Sequence, residues 1–129
     1  KALVEELGLE HRIRFLGFKQ DIMAYIAGID VLVMPSLHEG LPYTILEAMS
    51  MGTAIVASGV GGLKEILLDG ESALILPPGN APAWAAALTK LIAEPETVEK
   101  LGAAAKVQQK NDLNLDTMGT NYRRIYHDA

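Results

Sequence analysis

A chain of 129 residues, half of them hydrophobic and 21% charged, has the make-up of one folded domain or a piece of one, and not of a disordered segment. Its formal net charge of −5 argues against a nucleic-acid surface, which requires a basic stripe. With no cysteine, a disulfide framework and a thiolate metal site are both excluded.

No apolar run approaches the roughly 18 residues of a membrane span, and no signal-peptide pattern is present, so the expected compartment is the cytoplasm. Lys1 is not an initiator Met, and the chain opens inside a helical pattern. The expectation is a fragment of a longer protein.

Ala2 to Leu7 reads as the end of a helix, with Gly8 at its stop. Ile13 to Leu16 is a short strand candidate ended by Gly17. Asp21 is placed to cap a helix over Ile22 to Ala27, whose Ile22, Tyr25 and Ile26 share one face. Gly28 ends it. Val31 to Met34 is a continuous apolar run, the pattern of a parallel strand covered on both faces. A turn-rich stretch with Pro35, Ser36, Gly40 and Pro42 leads into a helix closed by Gly52.

Ala54 to Ala57 is a second buried strand. Gly59, Gly61 and Gly62 make a turn before a short helix over Leu63 to Leu68. Asp69-Gly70 is a turn, and Ala73 to Leu76 is a further short strand stopped by Pro77-Pro78-Gly79. From residue 81 the chain becomes rich in Ala, Leu, Glu and Lys. Pro95 divides it into helices over about 82–93 and 96–109. Asn111 to Asn114 breaks the run, and Leu115 to His127 is a last helix with a partial apolar stripe. Residues 1–80 thus form an alternating β/α portion and 81–129 a helical portion of one domain. No internal repeat is present.

Strands alternating with helices imply an α/β fold, an open parallel sheet with helices on both faces. Ligands of such sheets bind at the carboxyl ends of the strands. The loops at Gly17 to Lys19, Ser36 to Pro42 and Ser58 to Gly62 are therefore expected on one rim.

Pro42 suits the first position of its helix, where a missing N–H costs nothing. The amides of Tyr43 and Thr44 would then face outward at a helix start, which attracts phosphate. Gly40 permits close approach to the backbone. Glu39 and Glu47 bracket that start, with seven residues between them. A carboxylate accepts two hydrogen bonds side by side, which matches a vicinal diol. One carboxylate could hold a sugar and the other a ribose, with a diphosphate between. The residues alone leave a second reading open: Glu39 stabilises the helix dipole and Glu47 lies on a solvated face.

The segment HEGLPYTILEAMSMGTAIVAS, followed by GVGGLKEILLDG, resembles the donor-binding half of retaining GT-B glycosyltransferases, nearest to glycosyltransferase family 4, also called group 1. RFLGFKQD and AGIDVLVMPS resemble the same family, in the expected order. The resemblance implies a Rossmann-like, C-terminal donor domain. By its implication, Glu39 binds hydroxyls of the donor sugar, Gly40 and Leu41 contact sugar or phosphate through backbone, the Tyr43 and Thr44 amides meet the diphosphate, and Glu47 holds the ribose. Gly17, Phe18 and Lys19 border the nucleobase. No metal and no cofactor are implied, and no individual catalytic residue is assigned.

The implied partners are a nucleotide-diphosphate sugar and a missing N-terminal acceptor domain, toward which the last helix crosses. Peripheral membrane association of the full-length protein is also implied; nucleic acid is not. The chain departs from the family in two ways. It begins after the basic pair that neutralises the diphosphate, so the isolated chain is expected to be inactive. Lys64 stands where proline is common. A non-catalytic binding module and a sugar-nucleotide epimerase of GT-B architecture are the alternatives.

His11 and His127 read as surface residues, His38 as a rim residue, and Trp84 as core. Glu65 suits a structural role and ligand contact equally. The glycines at 59, 61 and 62 do not form the GxGxxG dinucleotide pattern and are expected to shape the rim beside the sugar.

Overall fold

The computed structural model describes residues 1–127. Among them lie seven helices: α1 (Ala2–Glu6), α2 (Ile22–Ala27), α3 (Tyr43–Met51), α4 (Leu63–Ile66), α5 (Ala81–Ala93), α6 (Pro95–Asp112) and α7 (Leu115–His127). Three strands, β1 (Val31–Met34), β2 (Ala54–Ser58) and β3 (Leu74–Leu76), form one parallel sheet in the order β1-β2-β3. Val31 lies opposite Ala54, and Val56 opposite Leu74. The fold is the expected α/β class, an open parallel sheet with helices on both faces and a helical C-terminal segment. The last two residues of the helical portion expected over 81–129 lie outside the described residues.

The strands pair in parallel because each pair is joined by a helical crossover. β2 is buried at every position. Its alternation sends Ile55 and Ala57 to one face, against Ile26 of α2, Ile45, Ala48 and Met49 of α3, Leu63 of α4 and Ala105 of α6. Ala54 and Val56 face the other side, against Trp84 and Leu91 of α5 and Leu101 of α6. Each of the fully buried Ile45, Met49 and Ile55 contributes about 1.5–3 kcal/mol relative to exposure.

α6 supplies both cores because it runs past the amino end of β2. A side chain at Gly102 would overlap the Gly52 carbonyl and sit 3.3 Å from the Ala54 nitrogen. Gly52 itself ends α3 in the left-handed conformation, φ 78°. The Thr53 hydroxyl donates to the Ile26 carbonyl at 3.0 Å, tying the same turn to α2.

Asp21 caps α2 as the sequence places it, and Asn80 is a second side-chain cap, at α5. Asp21 accepts from the Ala24 amide at 3.4 Å and Asn80 from the Ala83 amide at 3.2 Å. Trp84 is core, and its indole donates to the Pro77 carbonyl at 3.0 Å. Asn114 turns α6 into α7: its amide donates to the Lys110 carbonyl at 2.7 Å while its oxygen accepts from the Thr117 amide at 2.8 Å.

Several expectations are corrected. Ile13 to Leu16 is not a strand. The Ile13 amide turns back to the Leu9 carbonyl, no neighbouring strand pairs with the stretch, and Phe15 stays 54% exposed. β1 lies at the sheet edge with its faces only partly covered: Leu32 and Met34 pack on one core and Val31 on the other, while Val33 is exposed. The helix expected over Leu63 to Leu68 is a single turn, because Leu67 is extended and the Leu68 amide is taken by the Ser72 hydroxyl at 3.1 Å. Pro42 is the N-cap, not the first helical residue: its ψ of 131° is extended while its carbonyl accepts from the Ile45 amide. α6 runs on to Asp112, past the expected stop.

Candidate functional site

β1 and β2 end side by side, Met34 opposite Ala57, so the loops that follow them rise from the same rim. In the first loop the Ser36 hydroxyl donates to Glu39 Oε1 at 2.7 Å. This bond folds the loop over itself and holds the half-buried carboxylate at one angle. Gly40 and Leu41 are exposed beside it.

No side chain caps α3. Among the described residues, no acceptor meets the Tyr43 and Thr44 amides, so two donors of the helix start stay free. The helix is fixed from behind by Ile45, Ala48 and Met49, which are fully buried. Glu47 comes off the opposite side and remains half-buried. The arrangement is a short arc: a carboxylate, two free amides, a second carboxylate. Such an arc can take hydroxyls at both ends and an anion in the middle.

Glu39, Gly40, Leu41, Tyr43, Thr44 and Glu47 are thus brought together on one loop and one helix start. Gly17, Phe18 and Lys19 are not joined to them by any hydrogen bond among the described residues. They lie on the extended stretch before α2, where Gly17 has φ 66° and Phe18 is 90% exposed. The Lys19 ammonium sits 5.8 Å from the centre of the Tyr25 ring. The three do not follow a strand.

The second rim loop begins with the Gly59 amide donating to the Leu76 carbonyl at 2.9 Å, which extends the β2–β3 ladder by one bond. Gly61 and Gly62 then run directly beneath the backbone of Glu39 and Gly40. The sequence predicts that these glycines shape the rim but carries no sign of their contact with the first loop. The Ser36–Glu39 pair is a further part of the site, and a hydroxyl three residues before a carboxylate is readable from local spacing. His11, His38 and Glu65 are exposed. An open apolar groove lies beside the helix start, between Leu41, Tyr43 and Leu46 on one side and Leu113, Met118 and Tyr122 on the other. Among the described residues, no group of three His, Cys, Asp or Glu side chains could hold a metal ion, and no helix is long and apolar enough to cross a membrane.

The family model for glycosyl transferases group 1 matches residues 1–108. The chain belongs to this family. D-inositol 3-phosphate glycosyltransferase from Corynebacterium glutamicum (strain R) is 32% identical over 131 residues, covering 100% of this chain and 31% of that protein. Among solved structures, sucrose-phosphate synthase from Thermosynechococcus elongatus matches with TM-score 0.85 and 31% identity, over 99% of this chain and 34% of that one. HepE from Anabaena in complex with UDP matches with TM-score 0.90 and 25% identity, over 99% and 35%; its UDP-glucose complex gives 0.87. This group 1 glycosyltransferase chain spans about a third of the length of the curated relatives it matches.

Proposed function

We propose that this chain forms part of the donor site of a retaining, family 4 glycosyltransferase that moves a glycosyl group from a nucleotide-diphosphate sugar to an acceptor. The observation that carries the reading is the arc at α3, where Glu39 and Glu47 flank two free amides on the rim of a parallel sheet. The similar HepE structures hold UDP and UDP-glucose, which supports a nucleotide-sugar ligand.

In this reading Glu39 accepts from hydroxyls of the donor sugar, and Gly40 and Leu41 approach the sugar or phosphate through backbone. The Tyr43 and Thr44 amides donate to the diphosphate. Glu47 accepts from the two ribose hydroxyls, and the main chain of Gly17, Phe18 and Lys19 borders the base. In the transfer, the bond from the anomeric carbon to the phosphate oxygen breaks. The acceptor oxygen bonds to the same face of that carbon, and its proton passes to the departing phosphate. The compartment is the cytoplasm. The chain spans about a third of its relatives' length, and the reading assigns the acceptor domain to the remainder of the full-length protein.

Calorimetric titration of the full-length protein with UDP-, GDP- and ADP-sugars tests the reading. Losing a charge-assisted diol contact of about 1.5–3 kcal/mol makes Glu47→Ala bind about 10–100-fold more weakly. Unchanged affinity in that variant removes the ribose assignment.

A further inference from the structure

We infer that Gly61 and Gly62 are positioning residues: their bare backbone is the seat on which Glu39 and Gly40 rest, and it sets where Glu39 meets the donor sugar. The inference rests on the donor-site reading above.

The contact is backbone on backbone. A Cβ at Gly61 would overlap the Glu39 carbonyl oxygen, and one at Gly62 would lie 2.8 Å from the Gly40 carbonyl oxygen and 3.3 Å from its carbon. A peptide carbonyl cannot swing aside like the end of a side chain, so any substituent at 61 or 62 must lift the first loop. Gly59 shows the contrast within the same turn. A Cβ there would meet Ile75 Cγ2 and Lys64 Cε at 3.0 Å, and the lysine end can move away. The obstacle is therefore backbone at the two positions that touch the Glu39 loop and side chain at the one that does not.

Two further features give the seat a definite height. The Gly59 amide is pinned to Leu76 of β3, so the second loop starts from the sheet itself. Gly62 then leads directly into α4, whose Leu63 is fully buried. From above, the Ser36–Glu39 bond closes the first loop onto this seat. Glu47 is outside the arrangement, because it belongs to α3 and is held by that helix's own buried face. Raising the seat should displace the sugar end of the site and spare the ribose end.

Three substitutions separate contact from backbone strain. Gly62 has φ −64°, which any residue adopts, so Gly62→Ala adds contact alone. Gly70 has φ 75° with nothing within 4 Å of a Cβ, so Gly70→Ala adds strain alone. Gly61, at φ 49°, combines both. The full-length protein is titrated with UDP-, GDP- and ADP-glucose and with the matching nucleoside diphosphates. For the nucleotide that binds, Gly62→Ala weakens the glucose conjugate about tenfold and leaves the free diphosphate within about twofold. Gly61→Ala does the same or more, and Gly70→Ala alters neither. Wild-type affinity for the conjugate in Gly62→Ala, or equal loss for conjugate and diphosphate, overturns the inference.

A measurement on the unsubstituted protein guards against misfolded variants. By hydrogen exchange, the glucose conjugate protects residues 59–62 together with 36–41 beyond what the diphosphate protects; protection confined to 36–41 overturns the inference. Failure of every nucleotide to bind the unsubstituted protein would instead sink the donor-site reading, before any glycine variant is compared.

Discussion

Glu39 is held by a partner three residues away, the Ser36 hydroxyl, at 2.7 Å. A bond of this kind costs little to lose in folding, because the freed carboxylate can turn to water. In the proposed donor site it matters for binding, because an unheld carboxylate must be ordered when the ligand arrives. Ser36→Ala is therefore expected to weaken sugar-nucleotide binding by about 1 kcal/mol, roughly fivefold. Its unfolding free energy should stay within about 0.5 kcal/mol of the parent. Paired calorimetric and thermal measurements check this; a stability loss matching the affinity loss would show that Ser36 supports the fold and not the carboxylate. The pair was legible in the sequence once Glu39 was singled out, since it needs only local spacing.

At the scale of the element, most of α3 is legible in the sequence. Its buried face, its glycine stop and the buried β2 after it were all readable from apolar runs and punctuation. The contact that locks its far end was not. Gly102 lies in the interior of α6, where helix propensity alone favours alanine by about 1 kcal/mol. The overlap of a Cβ with the Gly52 carbonyl opposes this, and overpacking costs about 1–3 kcal/mol. Backbone against backbone puts the cost at the upper end, so Gly102→Ala is expected to lower the unfolding temperature. A rise would mean that α6 can slide away from Gly52 at no cost.

The misread elements were decided by what each backbone group meets once folded, whether nearby or distant in sequence. Ile13 to Leu16 has strand chemistry but no ladder beside it, and its first amide is taken by Leu9. β1 has the apolar run of a covered strand but lies at the sheet edge. The α4 helix stops early because Ser72, beyond its end, captures the Leu68 amide. The seat at Gly61 and Gly62 joins two loops more than twenty residues apart. Spacing along the chain predicted each loop, and only the folded backbone joined them.

At the scale of the molecule, the two cores are closed on β2, while large apolar side chains remain outside. Leu115, Met118, Tyr122 and Ile125 of α7 are all at least half exposed, and the apolar groove beside Tyr43 opens onto them. In the proposed reading this is the side toward the acceptor domain. In that reading the described residues bring two carboxylates and two amides to the donor and assign no cation to its diphosphate. The isolated 129-residue chain is accordingly expected to turn over no sugar nucleotide. Release of nucleoside diphosphate from UDP-, GDP- or ADP-glucose, above that of a Glu39→Ala and Glu47→Ala double variant, would contradict it.

α3 is met by bare peptide at both extremities, by Gly61 and Gly62 below its entry loop and by Gly102 at its exit. Contacts of this sort have no rotamers to explore, so the helix cannot be re-aimed by small repacking steps. Over evolutionary time, a lineage with this frame can alter what it recognises by exchanging the side chains displayed on the arc. It cannot readily do so by moving the arc. In the proposed reading, new donor preference would then be written at exposed positions such as Leu41 and Tyr43, against a stage whose geometry stays the same.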